Sequence, residues 1–198
     1  MKISQPNHNR KSIRLREYDY SSPGIYFVTI CVHNKKYLFG KIIDGEMELN
    51  EFGKIIEQQW LLIPQRFNII QLDKFIIMPN HLHGIIQIVG AGFPCPLQGF
   101  PRPSCGFPRH KITAYINCDN NGRGNRAPTL GQMVAFFKYQ STKYINILHQ
   151  TPGAKLWQRN YYEHIIRNEI SLNNIRTYII NNPNNWILDK LNCEHHGD

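Results

Sequence analysis

The stretch from residue 75 to residue 89 constrains the fold of this chain most. It reads FIIMPNHLHGIIQIV, an apolar run interrupted by a proline-asparagine pair and by two histidines. Side chains alternate between the two faces of a strand, so His81 and His83 are predicted to point the same way. Gly84, on the opposite face, would let another backbone or a ligand come close. Two imidazoles side by side on a buried strand can bind one metal ion, although an ordinary hydrogen-bonded pair fits the same pattern.

Length and charge narrow the function classes. The chain has 198 residues, 41% of them hydrophobic, which suits one globular domain with a sizeable core. Its formal net charge is +9. That excess indicates either a solvated basic surface or a polyanionic partner, with nucleic acid favoured over an anionic membrane. No membrane span is expected, because no apolar run approaches the length of about eighteen residues that a span needs.

The cysteines and the N-terminus indicate a cytoplasmic protein. The first residues, MKISQPNHNRKS, are polar and show no signal peptide. The five cysteines are irregularly spaced and form no C-x-x-C pair, which suits a reducing compartment and gives no support to a zinc knuckle.

The N-terminal segment, residues 1–23, is basic and interleaved with tyrosines. It is predicted either to be a tail or to contact phosphates and stack on bases. Its candidate DNA-binding residues are Arg10, Lys11, Arg14 and Arg16.

Local patterns predict the elements before residue 90. The β-branched and aromatic run at 25–32 predicts a strand, and Asp44-Gly45 predicts a tight turn between two short strands. Asn50 can cap a helix with a buried apolar stripe. A strand at about 68–72 is expected to lead into the central one. These predictions place residues 24–190 in one domain, followed by a tail at 191–198.

Residues 90–128 differ from their surroundings, because Gly-Phe-Pro occurs three times at seven-residue spacing. Proline removes a backbone donor and glycine loosens the chain, so this segment is predicted to be a flexible insertion in the domain. Beyond it, Thr129 and Gln132 form a capping-box pattern for a helix to about residue 148. A last helix is predicted from about Ser171 up to Pro183.

Three segments together resemble one family. MPNHLHGII, DYSSPGIYFVTICV and LWQRNYYEHIIRNE…IRTYIINNPNNW are similar to the single-tyrosine HUH transposases, and most similar to the REP-associated tyrosine transposases. The resemblance extends from Arg10 to Trp186, apart from the 90–128 insertion. It implies an α+β fold: a ferredoxin-like antiparallel sheet with helices packed on one face, whose central strand carries the His-x-His pair.

The resemblance also implies a site and a reaction. By position, His81 and His83 would bind a divalent metal (Mg²⁺ or Mn²⁺), Asn182 would assist them, and Tyr178 would be the nucleophile. His164, next to the Tyr161-Tyr162 pair, is predicted either to support the site or to be structural. The implied partner is single-stranded DNA with a hairpin, cleaved through a covalent 5′-phosphotyrosine intermediate.

Alternatives remain open at this level. Tyr161 and Tyr162 are rival nucleophiles. Arg167 and Arg176 are candidate DNA contacts, and an ion pair with a neighbouring glutamate explains them equally well. A non-catalytic ferredoxin-like nucleic-acid-binding protein and a metal-dependent hydrolytic nuclease are the competing functions. The oligomeric state, monomer or homodimer, is likewise open.

Overall fold

In the computed structural model, the described residues are 18–89 and 128–192. They contain six strands and four helices, the second helix being a single turn. The elements in chain order are β1 (Gly24–Cys31), β2 (Gly40–Ile43), β3 (Glu46–Leu49), α1 (Glu51–Leu61), α2 (Ile63–Arg66), β4 (Ile70–Met78), β5 (His81–Ile88), α3 (Leu130–Leu148), β6 (Tyr162–Ile166) and α4 (Glu169–Asn181).

Four strands form one antiparallel sheet in the order β4-β5-β1-β6, while β2 and β3 form a separate hairpin. Without that hairpin, the chain runs strand, helix, strand, strand, helix, strand. This order along the chain and across the sheet is the ferredoxin-like arrangement. The predicted fold class is therefore confirmed, and β5 lies centrally between β4 and β1.

The sheet is covered on both faces. Helices α1 and α3 pack on the face that carries Tyr26 and Leu82, and Trp60 and Phe137 are fully buried there. Helix α4 packs on the opposite face through Leu172 and Ile179, against Phe27, Ile85 and Ile166. The single helical layer expected from the sequence corresponds to α1 and α3, and α4 adds a second layer.

A neighbouring group does come close to Gly84, as the sequence predicts. A Cβ atom there would collide with the indole ring of Trp60, which presses directly on β5. The neighbour that the glycine admits is thus a core tryptophan from α1.

The run from residue 75 to residue 89 is a hairpin of two strands. Strand β4 begins at Ile70 and continues through a bulge between Leu72 and Phe75, so the short strand expected at 68–72 is its first half. Pro79 and Asn80 make the connection to β5. Their carbonyl groups accept hydrogen bonds from Leu38, Phe39 and Val32, so this turn is tied to the segment after β1.

The predicted helix caps are confirmed. The Asn50 side chain accepts from the backbone of Gly53, and Thr129 and Gln132 form a reciprocal capping box. Helix α4 begins at Glu169, two residues before the predicted start, because Asn168 caps it by accepting from the Ser171 N–H.

Some expectations fall beyond the described residues. The basic residues between Arg10 and Arg16 do so, as does nearly all of the 90–128 insertion. The domain boundaries therefore stay predictions. Within 18–89 and 128–192, none of the helices is both long and apolar enough to cross a bilayer.

Candidate metal and tyrosine site

The two histidines on β5 point together onto the α4 face of the sheet. Their Nε2 atoms lie 3.0 Å apart, and both side chains are buried. The alternation of β5 places Leu82 and Gly84 against the opposite core. The predicted common orientation of His81 and His83 is thus the observed one.

Hydrogen bonds fix both rings from behind. The Nδ1 atom of His81 lies 2.8 Å from Oδ1 of Asn80, whose amide nitrogen donates to the carbonyls of Lys35 and Leu191. Oδ1 must therefore be the acceptor, so His81 carries its proton on Nδ1 and leaves the Nε2 lone pair free. Thr29 Oγ1 lies 2.8 Å from Nδ1 of His83 and orients that ring. Such outer hydrogen bonds are typical of metal-binding histidines.

Burial keeps both imidazoles neutral. It lowers the pKa of His83 to about 3. Burial is also the main reason that the pKa of His81 lies well below its usual range, with smaller contributions from the charges of His83 and Lys35. A neutral imidazole is the form that binds a metal ion.

Asp189 completes the group. It follows a short 3-10 helix at Trp186–Leu188, and its Oδ2 atom lies 4.0 Å from Nε2 of His81. Its other oxygen accepts from the Leu191 N–H at 2.7 Å. Ligand atoms of His81, His83 and Asp189 all lie within 4.8 Å of one another, so the three residues can bind a metal ion. The sequence analysis missed Asp189, because nothing local shows that the chain after α4 folds back to the histidines.

Two buried oxygens point to the same conclusion. Asn182 Oδ1 and Asp189 Oδ2 are buried and make no hydrogen bond to any described residue. An orphaned buried oxygen is costly unless a ligand satisfies it. Two ligands at right angles with bonds of about 2.1 Å would be about 3.0 Å apart, which matches the histidine pair. The residues present therefore fit a divalent cation with mixed nitrogen and oxygen ligands.

Tyr178 meets this group from α4. Its phenol oxygen lies 3.2 Å from Nε2 of His83, and the side chain is 46% exposed. Burial raises the pKa of the phenol, the carboxylate of Asp189 raises it further, and a hydrogen-bonding contribution from Asn182 opposes both. The phenol is therefore neutral at ordinary pH. Asn182 caps the same helix one turn later and is almost fully buried.

His83, Tyr178, Asn182 and Asp189 line one cleft of about 670 Å³, which Tyr161 and Tyr162 also line. Both rival tyrosines thus lie near the site. Among the three, Tyr178 is the one with a hydrogen-bond contact to His83. The role of each tyrosine stays a prediction at this point.

The other predicted site residues lie elsewhere. His164 and Arg167 are exposed and line a second cavity, of about 480 Å³. Arg176 forms an ion pair with Asp73 on β4, with Nη2 at 2.5 Å from Oδ2, and a longer contact of 3.7 Å with Glu169. The glutamate contact expected as an alternative is the longer one, whereas the main partner, Asp73, was not expected.

Known structures and sequences extend these observations. No family model matches the sequence. The fold is similar to that of a REP-associated tyrosine transposase solved in complex with a REP hairpin, with a TM-score of 0.53 and 15% identity, covering 91% of this chain and 77% of the other. An uncharacterized protein of Haemophilus influenzae is 40% identical over 184 residues, which cover 93% of each chain. At that identity over nearly the full length, the chain belongs to the same family as the Haemophilus influenzae protein, on a fold shared with a tyrosine transposase.

Proposed function

We propose that this protein is a metal-dependent tyrosine transposase that cleaves and rejoins single-stranded DNA next to a hairpin. The single observation that carries the proposal is the close contact of three side chains, Tyr178, His83 and His81. The Tyr178 phenol lies 3.2 Å from His83, and His83 lies 3.0 Å from His81. A tyrosine that only packed at the edge of the core would not need its oxygen within 3.2 Å of a histidine nitrogen that itself lies 3.0 Å from a second histidine.

The proposed step is a transesterification. The Tyr178 oxygen attacks the scissile phosphorus and forms a new P–O bond, while the bond from phosphorus to the 3′-oxygen breaks. The phenolic proton ends on the departing oxygen, which becomes a free 3′-hydroxyl. The product is a 5′-phosphotyrosine, and a 3′-hydroxyl of another strand can reverse the step.

His81, His83 and Asp189, with Asn182, would hold the divalent metal, for which we propose Mg²⁺ or Mn²⁺. When bound, it would polarise the scissile phosphate and stabilise the charge that develops there. The protein supplies the rest. Thr29 and Asn80 fix the two rings, and α4 positions the phenol.

The proposed partner is DNA with a folded-back stem and a single-stranded flank. The charge of +9 supports a polyanionic partner. The structural neighbour was solved with a REP hairpin, and the ferredoxin-like fold is common to both. A metal-dependent hydrolytic nuclease would use the same histidines but would leave no covalent adduct. A non-catalytic nucleic-acid-binding protein would leave the hairpin uncut.

The test is incubation of the protein with hairpin oligonucleotides and Mg²⁺ or Mn²⁺, followed by denaturing electrophoresis. We expect a denaturation-resistant protein–DNA adduct that chelation prevents and that Tyr178→Phe abolishes. Tyr161→Phe and Tyr162→Phe are the matched controls and should still form it. Cleavage without an adduct would identify a hydrolytic nuclease instead.

A further inference from the structure

One part of the cleft wall has a composition of its own. It is formed by the segment that leads into β6 and presents two aromatic rings and two amide side chains. The residues are Gln158, Asn160, Tyr161 and Tyr162. The step proposed above assigns none of them a role.

Tyr162 presents a ring that is half open to solvent. Its side chain is 50% exposed, and it contacts Phe27 edge to face with ring centroids 6.4 Å apart. Phe27 in turn contacts Tyr178 at 6.2 Å and stacks on His83 at 5.4 Å. Tyr162 therefore lies one ring away from the proposed nucleophile, with its orientation fixed on one side and a free surface on the other.

The two amides add donors and acceptors beside that ring. Gln158 and Asn160 both line the cleft, Gln158 partly buried and Asn160 exposed. An amide offers both donors and an acceptor, which is the chemistry that reads the edge of an unpaired base.

Lys138 on α3 holds the segment in place from behind. Its ammonium donates to the carbonyls of Gln158 at 2.9 Å, Arg159 at 3.4 Å and Asn160 at 3.0 Å. It also lies 5.6 Å from the centre of the Tyr161 ring. Three backbone carbonyls tied to one cation keep the amides at fixed positions, so the wall is preorganised.

We propose that this wall is a subsite for one unpaired nucleobase beside the scissile phosphate. Tyr162 stacks on the base, and the amides of Gln158 and Asn160 contact its edge. The cleft, at about 670 Å³, is of the size of a small-molecule site and has room for one nucleotide beside the metal group. The inference rests on the proposed single-strand cleavage and adds to it a requirement for an unstacked base next to the junction.

The experiment uses the full-length protein and a hairpin oligonucleotide in which single nucleotides around the cleavage junction are replaced, one at a time, by an abasic residue. Both adduct formation and DNA binding by fluorescence anisotropy are measured. At one position next to the junction, the abasic replacement should weaken the wild-type protein roughly 5- to 150-fold, the range that base–aromatic stacking produces.

Variants test whether the residues of this wall cause the effect of the abasic replacement. Tyr162→Ala should bind the intact and the abasic DNA alike, whereas Tyr162→Phe, which keeps the ring, should keep the discrimination. Tyr139→Ala is the matched control, because this tyrosine is 64% exposed on α3 and does not line the cleft. Asn160→Ala, an exposed position that folding tolerates, should relax the preference for base identity at the same position.

The outcomes separate this inference from the proposed function. If adducts form but every abasic position is tolerated equally, the proposed subsite is wrong. The same holds if Tyr162→Ala still discriminates between intact and abasic DNA. In both cases the proposed transposase function is unaffected. If no adduct forms, anisotropy with abasic replacements along the whole single-stranded flank of the hairpin still decides the subsite: discrimination at one position that depends on the Tyr162 ring supports it, and its absence overturns it.

Discussion

The two faces of the sheet are built from the same strands, but one forms the main apolar core and the other carries the candidate site. On one face, Tyr26, Val28 and Ile30 of β1 join α1 and α3 in an apolar core. On the other, the alternate residues Phe27 and Thr29 contact His83 by stacking and by a hydrogen bond. One face is filled mainly with apolar side chains, although the indole nitrogen of Trp60 is unsatisfied there, and the other combines an apolar cluster with neutral histidines and unsatisfied oxygens.

The difference shows where this fold can accommodate a site. Orphaned polar atoms destabilise a protein, so they are tolerated where a ligand can satisfy them and where a well-packed core compensates elsewhere. The face of α1 and α3 supplies that core. The face of α4 can then carry Asn182 and Asp189 with buried oxygens turned toward the histidines. Substitutions on the two faces should therefore act on different measurable quantities.

The largest expected effect is on the chemistry of the α4 face. Tyr178→Phe removes one oxygen from a side chain that is 46% exposed, so the free energy of unfolding should change by less than about 0.5 kcal/mol. The rate of adduct formation should fall at least about 1,000-fold, because the nucleophile is lost. Single-turnover assays at saturating DNA measure this rate. Near wild-type activity in this variant would remove Tyr178 from the mechanism.

The next largest effect concerns the metal. A cation that binds only the folded protein stabilises it by about 2.7 kcal/mol at one hundred times its Kd. Adding Mn²⁺ to the wild-type protein should therefore raise its Tm, and His81→Ala should abolish the shift. Asp189→Asn tests the ligand that the sequence analysis missed, and it should reduce the shift. Lys143→Ala, at an exposed position on α3, is the control. An equal Tm shift in Asp189→Asn would exclude the carboxylate as a ligand.

The features of the fold and of the candidate site that the sequence predicts are those that depend on residues close together in the chain. The strand at β1, the helix caps at Asn50 and Thr129, and the common direction of His81 and His83 depend on local periodicity and side-chain chemistry. Such features were predicted within a residue or two. The ferredoxin-like order of strands required the family resemblance, because strand order depends on contacts between distant segments.

The contacts that were not predicted, those of Asp189 with the histidines and of Arg176 with Asp73, join distant segments of the chain. Asp189 reaches the histidines because Trp186 packs beside His81 and Tyr37, at ring distances of 5.9 and 5.8 Å. Arg176 meets Asp73 at the point where a bulge interrupts β4. Neither arrangement leaves a trace in local spacing, since both partners are ordinary surface residue types.

A substitution on the face of the sheet that packs against α1 and α3 should lower the free energy of unfolding without changing the rate of adduct formation. Gly84→Ala places a methyl group against the Trp60 ring, which is buried and cannot retreat without disturbing the core. Overpacking of this kind typically costs about 1–3 kcal/mol. Urea unfolding should show that loss, whereas adduct formation per folded molecule should stay within about twofold.

The control for Gly84→Ala is Gln87→Ala. Gln87 lies on the same strand but on the other face and is partly exposed. Its replacement should change the free energy of unfolding by less than about 0.5 kcal/mol. If Gly84→Ala were equally silent, the tight contact between β5 and α1 would be wrong.

The smallest expected effect is a change in how the stability of the α4 face depends on pH. Helix α4 is attached to β4 by the Arg176–Asp73 ion pair. Partial burial alone would raise the pKa of Asp73, but hydrogen bonds from Arg176 and Lys74, together with their charges, hold it below its usual range. A carboxylate with a lowered pKa stabilises the fold above its unfolded-state pKa of about 3.9 and loses that contribution as the pH falls through its folded-state value.

Asp73→Asn should thus be less stable than wild type at pH 7, with the difference shrinking to nothing near pH 2. Thermal unfolding of both proteins across this range measures it, with Glu46→Gln on the exposed hairpin as the control. A difference that persisted unchanged into acid would mean that the aspartate stabilises α4 through packing rather than through its charge.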